Sequence, residues 1–167
     1  MGDRTNFQVQ VLGCPREERA VFFDLVDDLD LADDWCPPWP RGPVERIYLG
    51  QDYVAHETSC GVVDEWATRL AESAPNAVWS AWEDPAYEWL GNYACHVPGL
   101  GLWVTECDAN GAATYTSTEV RALAGTRDLE RLLGTPWLDA LDDARAGFTS
   151  PAGGPAPRPF LARPEGR

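Results

Sequence analysis

Between Ala77 and Tyr115 the chain places four strand-length segments in succession, with no helical stripe between them. They are residues 77–82, 93–97, 102–107 and 112–115, and Asp108-Ala109-Asn110-Gly111 is a strong turn signal before the last. Strands joined by short turns pair antiparallel, because a parallel neighbour needs a crossover of about a dozen residues or more. Upstream, residues 7–12 alternate in strand fashion, and Gly13-Cys14-Pro15 breaks the run and opens a helix. From Glu17 onward Phe22, Leu25, Val26 and Leu29 recur at helical spacing, with Asp24, Asp27 and Asp28 on the opposite side.

Residues 45–55 read as a strand interrupted at Gly50. Ser59 is the expected cap of a second helix, whose inward stripe is Val62, Val63, Trp66, Ala67 and Leu70. Thr116 and Glu119 have capping-box spacing, so a short helix is predicted to start there and stop at Gly125. Another is predicted from Thr126 to Gly134, and Thr135-Pro136 starts a third with Trp137, Leu138 and Leu141 inward. This order departs from the regular alternation of a doubly wound parallel sheet. It predicts an α+β fold: a largely antiparallel sheet with helices packed on one face, a helical C-terminal region and a Pro/Gly-rich tail.

With 44% hydrophobic residues, the 167-residue chain can bury a core without staples. One domain is expected over residues 1–148. Residues 149–167, rich in proline, glycine and arginine, are expected to form a flexible appendage.

The charge balance limits the partners. Acidic residues number 27 against 13 basic ones, all of them arginine, for a net charge of −14. Such a surface repels nucleic-acid phosphates and lipid headgroups and attracts basic proteins. No segment has signal-peptide character or the roughly 20 apolar residues of a membrane span, so a cytoplasmic protein is expected, binding neither membrane nor nucleic acid directly. Five cysteines, an odd number without scaffold rhythm, are expected to be reduced.

Six aspartates and no basic residue lie between positions 24 and 34. If that stretch were helical, about 16 Å of axis would carry one carboxylate per roughly 2.7 Å, against about one charge per 1.7 Å on duplex DNA. Glu83, Asp84 and Glu88, and Asp139, Asp142 and Asp143, are candidates to extend the stripe. The segment from Trp82 to Trp89 mixes acids with aromatic rings, which suits a surface receiving arginine. The expectation is a non-enzymatic interaction protein without a cofactor, binding a basic partner. Its sharper form is a DNA-mimic-like inhibitor or immunity-type protein that blocks a nuclease or nucleic-acid-binding protein. The expected partner-binding residues are Asp24, Asp27, Asp28, Asp30, Asp33, Asp34, Glu83, Asp84 and Glu88. The competing reading of the same acids is a solvated face.

The alternative from another class is a small enzyme or zinc-stabilised domain using His56, Cys60, Cys95 and Cys107. His56 precedes Cys60 by one helical turn, whereas adjacent Cys95 and His96 point to opposite faces of a strand. Asp52, Glu57, Glu83, Asp84, Glu106 and Asp108 are candidate Mg²⁺ ligands or acid/base groups. The chain has no Gly-rich phosphate loop, G-x-S-x-G elbow or H-E-x-x-H helix.

Overall fold

The computed structural model describes residues 3–33, 44–148 and 159–164. In chain order the elements are β1 (Arg4–Gly13), α1 (Ala20–Asp28), β2 (Arg46–Tyr48), β3 (Asp52–Ser59), α2 (Val62–Ser73), β4 (Val78–Glu83), β5 (Gly91–Val97), β6 (Gly101–Cys107), α3 (Ser117–Leu123), α4 (Leu129–Leu132), α5 (Thr135–Ala146) and β7 (Phe160–Ala162). Five strands form one sheet in the order β3-β1-β4-β5-β6, every neighbouring pair antiparallel. β2 and β7 pair separately. The fold is α+β, as the succession of turn-linked strands predicts.

Alternation along the strands divides the apolar residues between two faces. Phe7, Val9 and Val11 of β1 share one face with Tyr53, Ala55, Trp79, Ala81 and Ala94, and the inward stripes of α1 and α2 cover it. The opposite face carries Tyr93 and Cys95 beneath Trp137 and Leu141 of α5. α1 and α2 follow the single-face expectation, whereas α5 lies across the sheet from them. The physical reason is that the second face also carries apolar groups, Val78, Trp82, Tyr93, Cys95, Val97 and Trp103, which need a cover of their own. Over the polar part of that face, Arg145 of α5 donates to Gln10 Oε1 at 2.9 Å and to Ser80 Oγ at 3.3 Å.

Several local signals act as expected and others give way to longer-range contacts. The Thr116/Glu119 capping box forms in full at the start of α3. α2, by contrast, is not capped by Ser59: its cap position is Gly61, with no side-chain cap of its own. Gly50, at φ 74°, is a turn between two different sheets, sending β2 to β7 and β3 to β1. Residues 112–115 contribute only an isolated bridge between Ala113 and Cys107.

The expected flexible tail does not hold for Phe160–Ala162. This segment pairs antiparallel with β2, and Leu161 is only 7% exposed in the main core. The tail's overall proline content hides a short strand-competent Phe-Leu-Ala run with its own buried anchor. Residues 149–158, on which the rest of the expectation falls, lie outside the described residues.

Candidate docking surface at one end of the sheet

The register of β1 against β3 slips between Thr5 and Phe7, so both His56 and Glu57 lie opposite Asn6. This is a β-bulge, with Glu57 in the left-handed region at φ 56°. Bulges re-aim side chains, and here His56 Nδ1 lies 3.1 Å from Asn6 Oδ1. Asn6 Nδ2 donates to Asp84 Oδ2 at 3.0 Å. A carboxylate only accepts, so this second bond fixes the Asn6 amide orientation and makes His56 Nδ1 the donor of the first. Arg4 donates to the Glu57 carbonyl at 2.9 Å.

Beyond Asp84 the chain makes a tight turn in which Ala86 and Trp89 exchange backbone hydrogen bonds at 3.1 and 2.9 Å. Tyr87, inside that turn, has φ 55° and is 90% exposed. A bulky residue pays backbone strain there that glycine would avoid. Glu88 is exposed beside it, and Trp89, 51% exposed, donates its indole N–H to Asp3 Oδ2 at 2.9 Å.

Two adjoining open grooves flank the bulge and share Arg4 and Glu57 in their walls. One, of about 240 Å³, includes Asn6 and Asp84. The other, of about 340 Å³, includes Asp28, His56, Cys60 and Glu65. The tertiary structure therefore links the end of the acidic helix to the aromatic-acidic turn through Glu57.

The expected partner-binding residues have different fates. α1 ends at Asp28 and Asp30 takes φ 51°, so the run from Asp24 to Asp34 is not one helical charge array. Asp24 and Asp28 each lie 3.5 Å from an Arg69 guanidinium nitrogen. Asp27 accepts two hydrogen bonds from Arg163, both 2.7 Å, and that guanidinium holds its carboxyl below the usual range. Asp30 and Asp33 are exposed, and Asp34 lies outside the described residues. Asp84 lines the first groove and Glu88 stands at the turn. Asp142 pairs with Arg145 on α5, across the sheet from α1, so the acids of α5 do not continue the α1 stripe.

Glu83 is the clearest correction. It is 2% exposed, and its carboxylate accepts from Gly61 N at 3.0 Å through both oxygens, from Val63 N at 3.4 Å and from Asn92 Nδ2 at 2.8 Å. It is the missing cap of α2, supplied from a neighbouring strand. Burial lifts its pKa above the ordinary carboxylate value despite these donors. A carboxylate committed in this way has no charge to present to a partner.

The residues of the alternative reading are dispersed. His56 and Cys60 line the second groove, while Cys95 and Cys107 are buried in the α5-side core, where burial pushes both thiols up to about 12. Burial, followed by the Glu83 and Asp3 carboxylates, also raises the Cys60 thiol, which disfavours the thiolate a nucleophile needs. His96 is buried against the Ala77 carbonyl. Among the described residues no three His, Cys, Asp or Glu side chains are grouped to hold a metal. No local pattern singles out Asn6, the bulge or Glu65 as site features: the first two depend on the register of β1 against β3, and Glu65 on where α2 packs beside the end of β3.

Comparison of the chain with protein-family models, curated proteins and solved structures finds no match in any of the three. Among the described residues, no helix is long and apolar enough to cross a membrane.

Proposed function

We propose that this chain is a docking protein for a basic partner, engaged through the acidic, aromatic-rimmed end of the sheet. The observation supporting this reading is the pair of grooves that brings Asp28, Glu57, Glu65 and Asp84 together beside the exposed Tyr87, Glu88 and Trp89. Carboxylates steer the encounter, while the rings supply apolar contact area and a face for arginine. In the sharper form of the proposal, the partner's basic surface is a nucleic-acid groove and the carboxylates stand in for phosphates. The site then acts by competition and needs no catalytic group.

The test compares wild type with a Glu57→Gln/Glu65→Gln/Glu88→Gln variant. A basic protein captured by the wild type is identified, purified and titrated against both chains at two ionic strengths. The expected result is a wild-type affinity that falls steeply with salt and a variant that binds weakly at either. Competition by duplex DNA supports the nuclease or nucleic-acid-binding class of partner. Equal affinities in all four combinations overturn the proposal and return these acids to a solvating role.

A further inference from the structure

The C-terminal strand is bound to the body in the manner of a peptide ligand. Its backbone pairs with β2 in the register Arg46 to Ala162, Ile47 to Leu161 and Tyr48 to Phe160. Two further bonds extend the ladder, from Leu49 N to the Pro159 carbonyl at 2.8 Å and from Arg163 N to the Glu45 carbonyl at 3.0 Å. Alternate side chains then divide the work. Leu161 points into the core, and Arg163, two positions on, reaches α1.

The Arg163 guanidinium makes its paired bonds to Asp27, donates through Nε to the Val44 carbonyl at 2.8 Å and lies 4.9 Å over the Phe23 ring. Carboxylate, carbonyl and aromatic face match the planar fork of arginine and not the point charge of lysine. On the flank, Phe160 packs against Tyr48 and Arg46. Backbone pairing supplies general affinity and the alternating pockets supply selectivity, the physical logic of strand addition. Five residues, 159–163, make these contacts.

We propose that the β2 edge with the Asp27–Phe23 cleft is a strand-addition site for an extended partner segment carrying an apolar residue two positions before an arginine, and that β7 occupies it in cis as an internal competitor. The charge of the cleft favours a basic segment: displacement of β7 unmasks Asp27, and the only cation holding it is Arg163 among the described residues. The site is separate from the Glu57 and Asp84 grooves and stands or falls independently of them.

The test uses the full chain and a synthetic peptide of sequence Pro-Phe-Leu-Ala-Arg-Pro as the probe. Leu161→Asp removes the cis anchor, and a thermal melt establishes that the variant is folded. The peptide is expected to bind this variant at least ten-fold more tightly than wild type, with an order of magnitude lost when its arginine is replaced by lysine or when Asp27→Asn is added. Absence of binding to the folded variant, or indifference to both changes, overturns the proposal. Should Leu161→Asp not fold, hydrogen exchange on wild type decides: the amides of Leu49 and Arg163 are expected to open well before those of Val9 and Ala81. Exchange of all four at one common rate refutes a displaceable strand. A concentration-dependent dimer that exchanges β7 between copies likewise overturns the partner reading in favour of strand exchange.

Discussion

Replacing Glu83 with alanine tests whether a residue that reads as a surface acid is instead a structural cap. The substitution removes the acceptor shared by Gly61 N, Val63 N and Asn92 Nδ2 at a position 2% exposed. Loss of a helix N-cap costs about 1–2 kcal/mol. Leaving Val63 N and Asn92 Nδ2 with a buried unmet donor adds about 1–3 kcal/mol, reduced where water can enter beside Gly61. The expected loss is about 3–4 kcal/mol, a large share of a typical 5–15 kcal/mol stability, and corresponds to a fall in Tm of roughly 10 °C. Thermal and urea unfolding of Glu83→Ala, Glu83→Gln and Glu88→Gln provide the assay. Glu83→Gln keeps one acceptor and is expected to lose about half as much, while Glu88→Gln, on the exposed turn, stays within about 0.5 kcal/mol of wild type. The pH dependence has a defined sign. Because the folded pKa of Glu83 is raised, the native state holds its proton at a higher pH than the unfolded chain does. This contribution to stability is complete below the unfolded value, fades as pH rises through the folded value and is absent from Glu83→Ala. A Glu83→Ala melt within 2 °C of wild type, on the scale of about 2–4 °C per kcal/mol, would falsify the capping role and restore Glu83 as a candidate contact.

Ending the chain at Phe148 removes Leu161 from the core and the β2 ladder with it, so Tm should fall by roughly 5–10 °C, mostly through about 1.5–3 kcal/mol of lost apolar burial; an unchanged melt refutes docking of β7. Docking of that segment should also weaken in acid, because the lowered Asp27 pKa means that its contribution is present above the unfolded value and lost as pH falls through the folded one; the protection factor of the Arg163 amide, its exchange rate relative to the intrinsic rate at the same pH, should fall in acid, and a pH-independent protection factor contradicts it. Cys95 and Cys107, with thiols pushed up to about 12, should resist an aromatic disulfide reagent at pH 8 in the folded protein and react on unfolding, and immediate labelling of either would contradict their burial. Gly134→Ala should cost about 2–4 kcal/mol by urea titration, since its φ of 79° disfavours a side chain and the new Cβ would clash with the Trp103 ring; a neutral substitution would show that the α4–α5 junction yields freely.

What could be read directly from the sequence follows from rules that span only a few residues. The alternation of Phe7, Val9 and Val11, the helical recurrence of Val63, Trp66 and Leu70, and the capping pair Thr116 and Glu119 are set by neighbours within about a turn of helix or a short run of strand. Those signals suffice for an α+β fold and an antiparallel sheet. The candidate surface at the end of the sheet needed more. Glu57 joins Asp84 only because β1 lies between β3 and β4 and slips register at Asn6, and Glu83 meets Gly61 only because β4 ends beneath the start of α2. Arg163 reaches Asp27 across 136 positions of sequence. The acidity of the chain was legible from its composition, but which carboxylates are committed to caps and ion pairs and which face a groove was decided by pairing between distant segments. A side chain's partner in such a pair depends on strand order and register, and neither is encoded in the residues adjacent to it.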